Sequence, residues 1–197
     1  MIDTQDVRDF FDRLAPGWDE DNEKDREKIG RILDLAGIGR GSAVLDVACG
    51  TGVMLPFYLE RGVNSVTAVD LSPEMARIAR EKYPDPRVKV LCADAGAFSP
   101  EERYSNIVVF NAFPHFPDGA KIIAHLSGLL APGGVLAVAH DAPREEIDAH
   151  HKGCAAHVSC GLPPAKALAE AFCESGLTGV FAVEDGGIYA VTGKKER

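Results

Sequence analysis

The chain has no run approaching the ~20 consecutive apolar residues of a membrane-spanning helix, and its first residues lack the charged-then-apolar pattern of a secretory leader. These absences lead to the expectation of a soluble cytoplasmic protein. Basic sequence is also scarce: 21 Lys and Arg stand against 30 Asp and Glu, for a net charge of -9, with a basic cluster only at Lys194, Lys195 and Arg197. Phosphate backbones are gripped chiefly by Lys and Arg, so nucleic acid is disfavoured as a partner. The cysteines Cys49, Cys92, Cys154, Cys160 and Cys173 are odd in number and scattered, which speaks against a secreted disulfide framework and for reduced thiols. There is no internal repeat and no low-complexity linker. A length of 197 residues then fits one domain, burying about 70% of its unfolded surface, with no room for a separate substrate domain.

What the chain does have is Val44-Leu45-Asp46-Val47-Ala48-Cys49-Gly50-Thr51-Gly52. Apolar residues flanking an acid read as a short buried strand, and Gly-Thr-Gly makes a turn tight enough to bring backbone amides against a ligand. Val53 to Leu59 continues at helix length. Strand, glycine turn and helix is the layout that binds nucleotide-like ligands at the carboxyl end of a parallel sheet. A second strand, Val66-Thr67-Ala68-Val69-Asp70, ends in an acid about twenty residues past the first glycine, where a carboxylate can accept both hydroxyls of a ribose. The dinucleotide fingerprint needs a third glycine, and Leu55 stands in its place, which disfavours NAD.

Upstream, Val7, Phe10, Phe11 and Leu14 recur at helical spacing behind Asp3-Thr4, with Leu14 expected on the core face, and Pro16-Gly17 ends that helix. Asp19 to Lys28 is a charged run expected to form a solvated face. Ile29, Ile32, Leu33 and Ala36 resume helical spacing, and Gly37, Gly39 and Gly41 punctuate the approach to the first strand. Downstream, strand and helix alternate. A helix runs from Pro73 to about Tyr83, strands fall at Val88 to Cys92 and Ile107 to Phe110, and a helix carries Ile122, Ile123, Leu126, Leu129 and Leu130. A fifth strand follows at Val135 to Ala139. Such alternation implies a parallel sheet covered on both faces. A last helix spans Ala165 to Ser175, and Val180 to Val183 and Ile188 to Val191 flank Asp185-Gly186-Gly187 as a hairpin.

In Asp46 to Gly52 and in Val69-Asp70-Leu71-Ser72-Pro73-Glu74-Met75 the chain resembles the class I S-adenosylmethionine-dependent methyltransferases, whose first and second motifs these segments match. Phe10 to Asp19 is similar to the amino-terminal segment of the ubiquinone and menaquinone methyltransferase branch, where an aromatic and an acid close over the cofactor. The resemblance runs to His140 and more loosely beyond. It implies an α/β, three-layer, Rossmann-like fold: a mostly parallel seven-stranded sheet with a C-terminal antiparallel hairpin and helices on both faces. A single domain over 1–197 would comprise an N-terminal helical lid region (1–40), a cofactor-binding core (41–140) and an acceptor-side segment with the closing hairpin (141–197).

The implied cofactor is S-adenosylmethionine, released as S-adenosylhomocysteine, and the implied partner is a small-molecule methyl acceptor. Residue by residue, Trp18 takes the place of the lid aromatic, and Asp46 holds the loop and the cofactor's amino group. Ala48, Cys49, Gly50 and Gly52 form the turn against the cofactor, and Asp70 accepts the ribose hydroxyls. Leu71 and Met75 stand among the cofactor-binding positions, Met75 against the adenine. Asp94 accepts from the adenine amino group, Ala95 supplies a backbone donor, and Asn111 lies beside the methionine moiety. For the three acids, a helix-cap or strand-end role is the structural alternative.

A methyl sulfonium is already activated, so displacement asks mainly for an in-line acceptor about 3 to 3.5 Å away and for exclusion of water. A base is needed only where the acceptor must lose a proton. His115, just beyond the fourth strand, and His140, ending the fifth on the same rim, are the candidate catalytic residues, with a loop-shaping role as the alternative at each. His125, beside Leu126 and Leu129, reads as structural. If residues 150–160 were helical, His150, Cys154 and His157 would share a stripe that could hold a metal. Gly153 and Gly161 argue against a rigid helix there, and zinc spacings are absent, leaving a cover on the acceptor pocket as the plainer reading. The expectation is an enzyme that transfers a methyl group to a small molecule by in-line displacement. The alternative is a catalytically silent S-adenosylmethionine- or metal-binding regulatory protein.

Overall fold

Unbroken apolar strands require cover on both faces, and the chain supplies it with helices threaded between them. The computed structural model describes residues 2–20 and 24–197, so Asp21, Asn22 and Glu23 of the charged run lie outside the described residues. The strands are β1 (Ala43–Val47), β2 (Ser65–Asp70), β3 (Val88–Cys92), β4 (Tyr104–Phe110), β5 (Leu130–His140), β6 (Leu177–Asp185) and β7 (Ile188–Lys195). The helices are α1 (Thr4–Leu14), α2 (Arg26–Leu35), α3 (Leu55–Glu60), α4 (Pro73–Lys82), α5 (Gly119–Leu129), α6 (Arg144–Cys154) and α7 (Ala165–Glu174). Carboxylate and hydroxyl caps start several of them: Asp3 accepts from the Gln5 amide, Asp25 from Glu27 and Lys28, Ser72 from Met75, and Asp118 from Lys121.

The strands form one seven-stranded sheet in the order β3-β2-β1-β4-β5-β7-β6, parallel except where β7 pairs antiparallel with both β5 and β6. This is the Rossmann-like sheet with a closing hairpin that the motifs implied. Side-chain alternation divides the core. Leu45, Ile107, Val109, Leu136 and Val138 point to the face covered by α5 and α7, where Ile123, Leu126 and Phe172 pack. Val44, Val108, Phe110, Ala137 and Ala139 point to the other, covered by α2, α3 and α4 through Ile29, Leu33, Leu55, Tyr58 and Ala76.

Three local expectations are corrected. Leu14 is 38% exposed, because α1 buries Val7 and Phe10 instead. Gly153 does not stop α6, which runs through it to Cys154; a glycine in the last turn costs little helical structure. The fifth strand begins at Leu130, five residues earlier than its apolar run suggests, with a register irregularity around Tyr104 and Asn106 that absorbs Pro132-Gly133-Gly134.

The strand order reverses between β1 and β4, so the connections leaving these neighbours diverge to opposite faces and leave a crevice at their carboxyl ends. α1 roofs it by packing Val7 and Phe10 against Ala155 and Val158. Among the described residues no helix is long and apolar enough to cross a membrane.

Gly134 tests the β4–β5 junction. A Cβ there would meet the backbone carbonyl oxygens of Ala131, Ser105 and Tyr104 at 2.9–3.0 Å, whereas one at Gly128 would meet nothing within 4 Å. Gly134→Ala is expected to destabilise by about 1–3 kcal/mol and Gly128→Ala to stabilise by about 0.5–1 kcal/mol, read as opposite shifts of the urea midpoint. Shifts of the same sign would contradict this packing.

Candidate functional site

The crevice contains a cavity of about 220 Å³. Its floor is the turn after β1, where the chain reverses in little space: Ala48 has φ 55° and Gly50 φ 55°. Asn111, at the end of β4, has φ 52°, so the two non-glycine residues with positive φ among those described both line the cavity. Each such backbone costs of order 1–3 kcal/mol, which the surrounding packing must hold.

Two acids hold the floor. Asp70 ends β2, accepts from the Gly50 amide at 2.7 Å and the Ser72 amide at 2.9 Å, and so ties the first turn to the start of α4. Burial pushes its carboxyl up to about 6, against the lowering effect of the Ser72, Gly50 and Leu71 amides. Asp46, one strand over, lies on the β1 face covered by α3; the Tyr58 hydroxyl donates to Oδ1 at 3.3 Å, while Oδ2 is buried without a hydrogen-bond partner. Burial, with the nearby Asp70 charge adding to it, raises the Asp46 carboxyl to about 7. Burial likewise raises the Cys49 thiol, which makes it an unreactive wall.

The remaining lining comes from four other segments. Leu71, Met75, Asp94 and Ala95 close one end. Asp94 is exposed and accepts from the Gly96 amide at 2.8 Å, an Asx turn of its own. Phe11, Trp18 and His115 form a wall of edge-on rings, with Phe11 centroids 5.5 Å from Trp18 and 4.8 Å from His115. Lys24 and Phe110 close the β4 end.

Trp18, Asp46, Ala48, Cys49, Gly50, Asp70, Leu71, Met75, Asp94, Ala95, Asn111 and His115 thus share one cavity, and Gly52 and His140 are outside its lining. At Gly52, φ is 86° and an added Cβ would meet Leu55 at 2.8 Å and the Tyr83 ring at 3.0 Å, so glycine is required there by packing under the turn. His140 follows Leu136 and Val138 onto the α5–α7 face, opposite Tyr189 in the β5–β7 register. It is 2% exposed, and burial takes its imidazole down to about 3. Its place on the rim is therefore corrected to a place in the core.

His115 reaches the cavity from the turn after β4. Its Nδ1 lies 2.7 Å from the Val158 carbonyl, which can only accept, so Nδ1 carries the proton and Nε2 the lone pair. Burial lowers it to about 4, despite the Val158 bond and helped by the neighbouring His151. His125 binds the Phe98 carbonyl at 2.9 Å, the structural role expected. In the His150 to Cys160 segment α6 ends at Cys154, and His157 sits in the following 3₁₀ turn against Phe10, off the shared stripe. The Cys154 side chain lies outside the described residues. Among those described, no three His, Cys, Asp or Glu side chains converge as a metal set.

Sequence reasoning missed three residues of the amino-terminal segment. Asp12 accepts from the Ser72 hydroxyl at 2.7 Å and the Glu74 amide at 2.9 Å, capping α4 from a distant part of the chain. Asp19 accepts from the Thr51 hydroxyl at 2.6 Å and from Lys82 at 2.7 Å. Lys24 pairs with Asp141 at 3.0 Å. The pair with Lys24 and the bond from Asn111 hold the Asp141 carboxyl below its ordinary value despite burial. Asp12 and Asp19 fall in the Phe10 to Asp19 segment, whose resemblance called for an acid without saying which, and the signal for Lys24 was charge in a run that resembles any solvated helix face.

Residues 44–134 match the family described as a methyltransferase domain. The malonyl-[acyl-carrier protein] O-methyltransferase of Acetivibrio thermocellus is 28% identical over 140 residues, covering 70% of this chain and 50% of that protein. The ubiquinone biosynthesis O-methyltransferase of Bordetella bronchiseptica is 30% identical over 146 residues, covering 68% and 59%. The chain thus spans about half the length of the curated relatives it matches. The N-methyltransferase NodS of Bradyrhizobium japonicum, solved with S-adenosyl-L-homocysteine, superposes with a TM-score of 0.72 at 19% identity, covering 98% of both chains.

The buried acid gives a pH signature. Unfolded Asp46 titrates at the ordinary 3.8 and folded Asp46 at about 7, so between these values the folded state binds more protons and stability falls as pH rises. Asp46→Asn removes that term. Its stability relative to the parent protein should climb from about pH 4 to about pH 7 and then level off, as measured by urea unfolding; parallel pH profiles would contradict the assignment.

Proposed function

We propose, for a chain whose fold is that of the class I S-adenosylmethionine-dependent methyltransferases, that it transfers a methyl group from S-adenosylmethionine to a small molecule by in-line displacement. The observation that carries this reading is the buried, unpartnered Asp46 Oδ2 in the lining of a glycine-floored cavity, one strand from Asp70. A buried carboxylate oxygen without a donor is costly, and a ligand's amino group satisfies it. Asp70, already oriented by two amides, accepts the ribose hydroxyls, and Gly50 brings the backbone against the ligand with no side chain between. Asp94 and Ala95 address the adenine, beside Leu71 and Met75.

Bound there, S-adenosylmethionine supplies a methyl group already activated on a sulfonium centre. The protein's part is to orient the acceptor and to exclude water, which the wall of Phe11, Trp18 and His115 under the α1 roof accomplishes. His115, with its lone pair on Nε2, is suited to accept a hydrogen bond from the acceptor. With its imidazole at about 4, it takes a proton only from a group made strongly acidic by methylation. His140 has no part in this reading.

Residues 1–197 are read as one methyltransferase unit, with 1–40 as roof, 41–140 as cofactor-binding core and 141–197 as acceptor-side segment and closing hairpin. The small-molecule branch that includes ubiquinone and menaquinone methyltransferases belongs to the same proposal, supported by the Phe10 to Asp19 segment and by the name of the Bordetella relative. Free cysteines at Cys49, Cys92, Cys160 and Cys173 suit a reducing, cytoplasmic setting.

Calorimetric titration with S-adenosylmethionine and S-adenosylhomocysteine tests the reading, and absence of binding by both at millimolar concentration would end it. Asp70→Ala should weaken binding by about tenfold or more, the loss of charge-assisted hydrogen bonds, with an unchanged far-UV circular dichroism spectrum. Incubation with methyl-labelled cofactor and a metabolite extract should then give a labelled small product.

A further inference from the structure

We infer that the methyl acceptor is an uncharged aromatic ring bearing a hydroxyl, which is methylated on that oxygen and passes its proton to His115 Nε2, an inference that rests on the methyl-transfer reading above. With the floor and the ends of the cavity given to the cofactor, its lining leaves two further segments: Thr4, Val7 and Phe11 on α1, and His115, Phe116 and Pro117 in the turn after β4. These six include no Lys, Arg, Asp or Glu. The acids that flank them are engaged as helix caps, Asp3 accepting from the Gln5 amide and Asp118 from the Lys121 amide. Lys24, the one Lys or Arg in the described lining, is neutralised by Asp141 at 3.0 Å and lies by Phe110. Phe110 packs with the layer of α2, α3 and α4 and Phe116 with that of α5 and α7, so Lys24 and this surface belong to opposite faces of the sheet. A carboxylate or an ammonium on the acceptor would thus be buried without an opposite charge, at heavy cost.

What the two segments supply is ring surface and one acceptor of a hydrogen bond. Phe11 stands edge-on to His115 with centroids 4.8 Å apart, and Phe116 lies 6.4 Å from Phe113. Rings pack edge to face or offset on such a surface and gain beyond the area they bury. Thr4 is exposed at the start of α1, which leaves His115 as the polar side chain of the inner wall. Its Nδ1 donates at 2.7 Å to the carbonyl of Val158, a residue fully buried under α1, so the tautomer is fixed and Nε2 can only accept. The His151 ring of α6, hydrogen-bonded to the Ser159 hydroxyl at 3.1 Å, lies 4.8 Å from that of His115. Two imidazoles so close repel each other when charged, which favours a neutral His115. A neutral imidazole with its free pair on Nε2 matches a hydroxyl donor.

The proton balance selects oxygen. A hydroxyl on an aromatic ring ordinarily ionises at about pH 10, so it enters uncharged and donates to Nε2. Its oxygen forms the bond to the methyl carbon with a lone pair, and the pair of the broken sulfur–carbon bond stays on sulfur. The oxygen then carries a positive charge and its proton is strongly acidic, so the proton moves to Nε2 while the O–H pair stays on oxygen. An imidazole at about 4 is basic enough for that proton. The same imidazole cannot relieve an ammonium, which holds its proton to about pH 10, so an aliphatic amine would arrive with its lone pair blocked. A carboxylate brings no proton and would set a second lone pair against Nε2. The imidazolium releases its proton to water when the product leaves.

Calorimetry on protein saturated with S-adenosylhomocysteine tests the acceptor class apart from turnover. Para-cresol should bind about tenfold or more tighter than para-toluate and para-methylbenzylamine, which bury an unpaired charge. It should bind about threefold or more tighter than methylcyclohexanol, which lacks the faces of a ring. His115→Phe keeps a ring against Phe11 and should weaken para-cresol by about fivefold or more, the loss of one hydrogen bond, while S-adenosylhomocysteine stays within about twofold. With methyl-labelled S-adenosylmethionine, the label should appear in the aryl methyl ether. Equal or tighter binding of the acid or the amine, unchanged para-cresol affinity in His115→Phe, or label on nitrogen or ring carbon would overturn the inference. The ranking of probes on the parent protein needs no variant, so it decides the matter should His115→Phe fail to fold. Binding of S-adenosylhomocysteine without binding of para-cresol at millimolar concentration would also overturn the inference, whereas failure of S-adenosylhomocysteine to bind would instead overturn the methyl-transfer reading.

Discussion

Two carboxylates buried at neighbouring strand ends set the terms for everything around them. Asp70 is tolerable because the amides of Gly50 and Ser72 point at it, and those amides point inward only because the chain after β1 turns through Ala48 and Gly50 in the left-handed region. Asp46 is less well provided for, with a single long bond from Tyr58 and one oxygen left over. Its raised pKa and its orphaned oxygen express the same cost. Natural cores retain such a group where a ligand satisfies it.

The amino-terminal segment is the counterpart of that strained floor. Asp12 caps α4, Asp19 holds Thr51 and Lys82, and Lys24 reaches Asp141, so a stretch of charged residues fastens the roof to both cofactor motifs and to the end of β5. Exposed ion pairs contribute little singly. The Lys24–Asp141 pair and the Asp12 and Thr51–Asp19 bonds are partly buried, while Asp19–Lys82 is exposed; each joins sequence-distant elements, so together they fix where α1, Phe11 and Trp18 lie over the cavity.

Much of the site was legible because its motifs combine residue type with spacing. An acid within an apolar strand, glycines in the following turn and a second acid at the end of the next strand leave few other arrangements, and the strand-helix alternation implied the sheet that carries them. Type and spacing are ambiguous elsewhere. Gly52 belongs to the glycine turn expected against the ligand, and its missing Cβ also makes room for Leu55 and Tyr83. His140 looked like a rim residue because it ends a strand, yet the two-residue alternation already sent it toward Tyr189 and the core. Leu14 fitted helical spacing, but α1 had no second layer to bury it against.

The sequence by itself determined the α/β alternation, the parallel core with its antiparallel close, the turn after β1 and the order of the acids along the strands, because each follows from local periodicity, glycine conformations and short-range spacing. Only the tertiary structure decided which charges of the amino-terminal run face the cavity. It also decided which histidine reaches the cavity, how the Val158 carbonyl sets the tautomer of His115, and that Asp46 keeps an oxygen unpartnered. Those depend on contacts between residues far apart in the chain, and nothing in the local pattern of a charged helix or a strand end distinguishes a group that meets solvent from one that meets another part of the fold.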